Sequence, residues 1–117
     1  MGKEPVIFHS VRQPRRPEPV VVFDRKELNT ILQLYGRKVA TGEWRDYALD
    51  HQKDLAVFSI FRRTSENPLY RVEKRPGLAR RQGAYAIIAA SGHILRRGHE
   101  LRQVLRVLER RSLKLVS

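Results

Sequence analysis

Apolar positions fall into three regimes along the chain, and these predict a helix, a run of strands and a second helix. Leu28, Ile31, Leu32, Tyr35 and Val39 recur at helical spacing and form one apolar face. Asp24 stands at the N-cap position, and Glu27, three residues on, completes a capping box. Phe23 and Leu28 hold the spacing of a hydrophobic staple across that cap. Arg37 and Lys38 fall in the last turn, where the helix dipole favours cations, and Gly42 supplies the stop. The first helix is therefore expected over about 24–41.

The middle of the chain reads as sheet. Trp44 to Leu49 alternates imperfectly, with Arg45, Tyr47 and Leu49 on one side and Trp44, Asp46 and Ala48 on the other. His51 to Asp54 has the length of a hairpin loop. Leu55 to Phe61 is apolar on both faces, the pattern expected of a central strand. After a turn at Thr64–Pro68, Leu69 to Lys74 alternates again. Tyr70 and Val72 are expected inward there, and Arg71 and Glu73 outward, which suits an exposed face or an edge. Ala84 to Ala90 has the length and the bulky Tyr85, Ile87 and Ile88 of a buried strand, although its four alanines would also suit a helix. Ser91-Gly92 then predicts a tight turn into His93–Arg96.

Gly98 marks the start of the last helical segment. Leu101, Val104, Leu105 and Leu108 recur at i, i+3, i+4 and i+7, which predicts a helix over about 99–111. The expected fold class is α+β: an antiparallel sheet of three to five strands with both helices packed on one face. The expected core is Leu28, Ile31, Leu32, Tyr35, Val57, Phe58, Ile60, Val72, Ile87, Leu101, Val104, Leu105 and Leu108. Residues 1–19 carry Pro5, Pro14, Pro17 and Pro19, and read as a basic, extended tail before a single domain over 20–117. Val6-Ile7-Phe8 is its one segment suited to docking as an edge strand.

Charge changes this picture more than size does. The formal net charge is +12 over 117 residues, and lysine occurs only at Lys3, Lys26, Lys38, Lys53, Lys74 and Lys114. The cation is mainly arginine, whose planar fork grips phosphate in bidentate fashion. A biased genome explains a high arginine-to-lysine ratio, but it explains the excess of 12 positive charges less well. Such a field attracts polyanions. The chain has no cysteine, which excludes disulfides, thiol catalysis and cysteine zinc sites. No stretch reaches the roughly 18 apolar residues a membrane span needs, so a soluble, cytoplasmic protein is expected.

Two basic constellations stand out. Arg102, Arg106 and Arg110 are spaced at i, i+4 and i+8 on the last helix, with Arg96 and Arg97 just before it and Arg111 just after. Like charges at that spacing repel mildly unless an anion meets them. Arg75, Arg80 and Arg81 frame a second segment, where amides freed by Gly77 and Gly83 suit an anion nest. On the first strand, Trp44 and Tyr47 suit either base stacking or, as aromatics of a small domain usually do, the core. His9, His51, His93 and His99 lack metal-ligand spacing, and Ser59, Ser65 and Ser91 lack a nucleophile's context. Asp46 and Asp50 show no spacing that would make them an acid–base pair. Neither an enzyme nor a bound cofactor or metal is expected.

Phe23-Asp24-Arg25-Lys26-Glu27-Leu28-Asn29, Leu34-Tyr35-Gly36-Arg37-Lys38-Val39-Ala40 and Gly42-Glu43-Trp44-Arg45-Asp46-Tyr47 form one distinctive series. Tyr70-Arg71-Val72-Glu73-Lys74-Arg75-Pro76, Gln82-Gly83-Ala84-Tyr85 and Arg97-Gly98-His99-Glu100-Leu101 continue it. Together they resemble a family of small alphaproteobacterial proteins of unknown function, over roughly residues 20–117. The resemblance implies a cytoplasmic bacterial protein and carries no activity with it. The element order is also similar to the double-stranded RNA-binding domain, whose lysine-rich motif is replaced here by His99-Glu100-Leu101-Arg102. The expected function is nucleic-acid binding, RNA or ribosome before DNA, through phosphate contacts of the arginines. The alternative is an adaptor module that recognises an acidic protein and self-associates through a sheet edge or the Leu101–Leu108 helix.

Overall fold

The computed structural model describes residues 19–63 and 67–111. Helix α1 (Arg25–Ala40) precedes strands β1 (Asp46–His51), β2 (Ala56–Phe61), β3 (Tyr70–Lys74), β4 (Tyr85–Ala89) and β5 (Ile94–Gly98), and helix α2 (Leu101–Arg110) closes the order. The strands form one antiparallel meander, β1-β2-β3-β4-β5. Residues of the two helices share one apolar cluster with Phe58, Ile60, Val72 and Ile87 from one side of the sheet. The fold is thus α+β, as its element order predicts. The tail with Val6-Ile7-Phe8, and part of the turn expected at Thr64–Pro68, lie outside the described residues.

The first helix begins as its sequence dictates. The Glu27 amide donates to Asp24 Oδ1 at 2.8 Å, and the Asp24 amide donates to Glu27 Oε1 at 2.8 Å. Phe23 is buried at one end of the staple, with Leu28 half-buried at the other. Gly42 takes φ of 83° at the far end, where the Gly42 amide reaches the Val39 carbonyl and the Glu43 amide that of Lys38. That is the left-handed ending a glycine permits. The buried face differs from the expected one. It is centred on Ile31, Leu34 and Lys38, while Leu28, Leu32 and Tyr35 are half-buried and Val39 is exposed.

Several strand assignments move. Trp44 precedes β1 and is buried at 4% exposure, tilted against Tyr35 and Tyr70 with ring centroids 6.2 and 6.4 Å apart. His51 belongs to β1, and the turn lies over Gln52–Leu55, closed by the Gln52 amide on the Leu55 carbonyl at 2.8 Å. The ambiguous segment 84–90 is strand over Tyr85–Ala89, with Ala86, Ile87 and Ile88 buried. β3, whose charges suited an exposed face or an edge, is the central strand, and β2, expected at the centre, lies beside it. Glu73 of β3 is buried because two guanidinia neutralise it: Arg75 Nε lies 3.4 Å from one carboxylate oxygen and Arg71 Nε 3.6 Å from the other. Charge alternation marked this strand as exposed, but pairing within the strand lets it sit at the centre.

The strand after Ser91-Gly92 runs to Gly98, so α2 starts later than expected, with Glu100 at its N-cap. Leu101, Val104, Leu105 and Leu108 are buried, each contributing about 1.5–3 kcal/mol. A Cβ at Gly98 would meet Val104 Cγ1 at 3.1 Å, and one at Gly83 would overlap the Gly98 backbone. These two glycines let the segment after β3, the end of β5 and α2 approach closely. Phe23, Leu34, Trp44, Ala56, Ala86 and Ile88 are buried beyond the expected core. Val57 is buried outside the shared cluster.

Candidate functional site

The eight arginines singled out from the sequence do not form one surface. β5 divides the first group. Were its pairing regular from Ile94 opposite Ile88, Leu95 would face Ile87 and Arg96 would face Ala86. Instead the register shifts between Ile87 and Ile88, setting Arg96 opposite Ile87 and Arg97 opposite Ala86. Ile87 belongs to the shared core, so this irregularity turns Arg96 to the helix side of the sheet and Arg97 to the other.

On the helix side, Arg96 meets α2. Arg96, Gln103, Arg106, Val107, Arg110 and Arg111 line a groove of about 360 Å³. No carboxylate lines it. The nearest acid in sequence, Glu109, is turned away to Arg37 on α1, with a nitrogen–oxygen distance of 3.4 Å. Arg96, Arg106, Arg110 and Arg111 are exposed. The groove is therefore a concentration of four uncompensated guanidinia among the described residues.

Arg102 leaves this company. A helix turns 100° per residue, so every four-residue step overshoots a full turn by about 40°, and two steps drift by about 80°. Arg102 instead lines a shallower cavity of about 410 Å³ beside His99, Glu100, Leu101, Lys26, Glu27, Thr30 and Tyr85. Glu27 is the hub of that region. Besides its capping bond, it receives Lys74 Nζ at 2.7 Å and the Tyr85 hydroxyl. Lys74 Nζ also donates to the Val22 carbonyl at 2.8 Å. Burial, then the hydrogen bond to Glu27, then the charges of Glu27 and Asp24 raise the Tyr85 phenol above its ordinary range.

The remaining arginines sit elsewhere. Arg75 is engaged with Glu73 on the sheet side away from the helices, where Arg97 Nη1 donates to the Gly83 carbonyl at 3.4 Å. Arg80 and Arg81 are exposed on the turn after the short 3₁₀ helix Pro76–Leu78. The amides of Leu78, Ala79, Arg81 and Gly83 donate to carbonyls inside this segment, so the expected anion nest lacks those donors. Arg75, Arg80, Arg81 and Arg97 thus lie outside the groove lining.

Arg111 extends the arginine cluster just beyond α2. One residue beside the groove, Lys38, was missed from the sequence as an anchor of α2. Lys38 is buried on α1 and donates to the Arg111 carbonyl at 2.9 Å, with Glu43 Oε1 at 3.4 Å from the same ammonium. It holds the end of α2 and answers the partial negative charge of that helix terminus. Its only sequence signal was a cation in the last turn of α1. The aromatics join the core side: Tyr47 stacks on Phe58 at 4.8 Å and 5°, and its edge contact with Tyr35 is at 5.0 Å. No three histidine, aspartate or glutamate side chains gather as a metal-holding group among the described residues. None of the described helices is long and apolar enough to cross a membrane.

The chain belongs to a family described as a protein of unknown function (DUF2794), whose pattern matches residues 21–105. The match includes Arg96, Arg97 and Arg102, and stops before Arg106, Arg110 and Arg111. No curated protein and no solved structure matches the chain.

Proposed function

We propose that this is a small nucleic-acid-binding protein that grips phosphates through the groove between β5 and α2. The observation that carries this reading is the meeting of Arg96, Arg106, Arg110 and Arg111 on one concavity lined by no carboxylate. Like charges gathered without counter-charges are unfavourable in isolation and become favourable when an anion enters. A groove of about 360 Å³ suits the backbone of one strand, and the proposal takes single-stranded RNA as the first partner to test. No aromatic side chain lines it, so its contacts position phosphates and leave bases unread.

Fluorescence anisotropy with single-stranded RNA and single-stranded and duplex DNA, each at two salt concentrations, tests this. Phosphate contact predicts that log affinity falls linearly with log salt, by about 0.7 per phosphate neutralised on a single strand. Binding weaker than millimolar at low salt for all three would overturn the reading.

A second reading is an adaptor that engages a protein partner, and the edge strand β1 favours it. Tyr47 and Leu49 there are 43% and 37% exposed. The Leu101–Leu108 face does not support self-association, because its leucines lie in the core. Sedimentation at high protein concentration tests the edge: a concentration-dependent dimer supports the adaptor, and a strict monomer counts against self-association.

A further inference from the structure

We infer that the groove between β5 and α2 takes the terminal phosphate monoester of a nucleic-acid strand. This rests on the reading that the groove holds phosphate, and it specifies which phosphate. An internal phosphodiester carries a single negative charge. A monoester carries about −1.5 to −2 near pH 7 and presents three strong acceptor oxygens. Arg96, Arg106, Arg110 and Arg111 converge on about 360 Å³, more cation than one diester can answer in so small a volume. Their forks, with the Gln103 amide beside them, supply donors in the excess that a three-oxygen terminus uses.

The surroundings favour an anion at this point. The carbonyl end of a helix ordinarily repels negative charge. Here the Lys38 ammonium sits 2.9 Å from the Arg111 carbonyl, and the Arg111 amide donates to Leu108 at 3.3 Å. Both interactions answer part of the α2 terminus next to the groove. Val107 gives the groove an apolar wall, and no ring is present to stack a base. Selection therefore falls on the phosphate.

The test uses the full chain and one internally labelled single-stranded RNA in three forms: 5′-phosphate, 3′-phosphate, and hydroxyl at both ends. One phosphorylated form should bind about tenfold more tightly than the hydroxyl form at pH 7.5, equivalent to about 1.4 kcal/mol. The preference should shrink at pH 5, because the second ionisation of a monoester lies near pH 6. Arg106→Gln with Arg110→Gln should abolish the preference, whereas Arg80→Gln should keep it, with thermal melts showing all variants folded. Equal binding of the three forms would overturn this inference and leave the phosphate-groove reading standing. No binding of any form at low salt would overturn both. A preference that survives Arg106→Gln with Arg110→Gln would place the phosphate elsewhere and overturn the assignment. A nucleoside monophosphate that competes as well as the phosphorylated RNA would show that the free nucleotide is the ligand and overturn the strand-end inference.

Discussion

The two ends of α2 border polar regions of opposite character. Near its start, Glu27 joins the α1 cap, Lys74 and Tyr85 in a knot built on the largely buried Glu27–Lys74 ion pair. Near its end, Arg106, Arg110 and Arg111 face Arg96 across an open groove without a counter-charge. Both regions read in the sequence as charges flanking an amphipathic helix. What separates them is satisfaction. A closed set of opposite charges ties elements together, and substituting one member leaves its partners unpaired in a low-dielectric setting. An open set of like charges contributes little to stability and is poised for an outside anion.

Substitutions at the two regions should therefore differ in kind, and the largest effect belongs to the knot. Glu27→Ala removes half of the capping box and strands the Lys74 ammonium and the Tyr85 hydroxyl. The expected loss is about 3 kcal/mol, the lower end for breaking a buried pair. In a domain of this size it should lower the melting temperature by more than about 10 °C. A melt shifted by less than a few degrees would show that the knot does not hold the fold.

Lys38→Met should come next, because the stem still packs while Glu43 and the Arg111 carbonyl lose the ammonium. The expected cost is about 2 kcal/mol, read by chemical denaturation. A neutral result would separate Lys38 from the anchoring of α2.

Tyr85→Phe should cost about 1 kcal/mol, the net value of one hydrogen bond. It also carries a pH signature. Unfolded tyrosine ionises near pH 10. The native phenol is held protonated to higher pH, so this contribution is intact below about pH 10 and is lost as pH rises through the native value. Denaturation at pH 9 and at pH 11 should show a steeper loss for the parent protein than for Tyr85→Phe. Equal losses would contradict the raised phenol.

The smallest stability effect is expected at the groove. Arg106→Gln with Arg110→Gln should leave stability within about 0.5 kcal/mol, because both side chains are exposed and unpaired among the described residues. A large destabilisation would erase the contrast between the two regions.

Legibility in the sequence followed the range of the interaction. The Asp24–Glu27 cap and the Gly42 ending span a few residues and were readable from spacing alone. The apolar stripe of α2 was readable because period 3.6 needs no partner. Lys38 was not, since its acceptor lies on Arg111, 73 residues away. Position within the sheet was hidden as well: Glu73 looked exposed until Arg71 and Arg75 were seen to neutralise it. The groove was half legible. Arg106 and Arg110 came from helical spacing, but a one-residue shift in β5 pairing decided which of Arg96 and Arg97 would join them. Composition does not encode that shift, and neither does alternation across five residues.

The central claim is that the groove arginines meet phosphate. Its most direct test is the salt dependence of binding to one single-stranded RNA, measured for the parent chain and for Arg106→Gln with Arg110→Gln. Loss of these contacts should make the slope of log affinity against log salt shallower, by about 0.7 for each phosphate no longer neutralised. Arg80→Gln with Arg81→Gln, outside the groove lining, should leave the slope unchanged. The opposite pattern, with the slope retained in the groove variant and reduced in the Arg80/Arg81 variant, would contradict the claim and move the site to the turn after the short 3₁₀ helix.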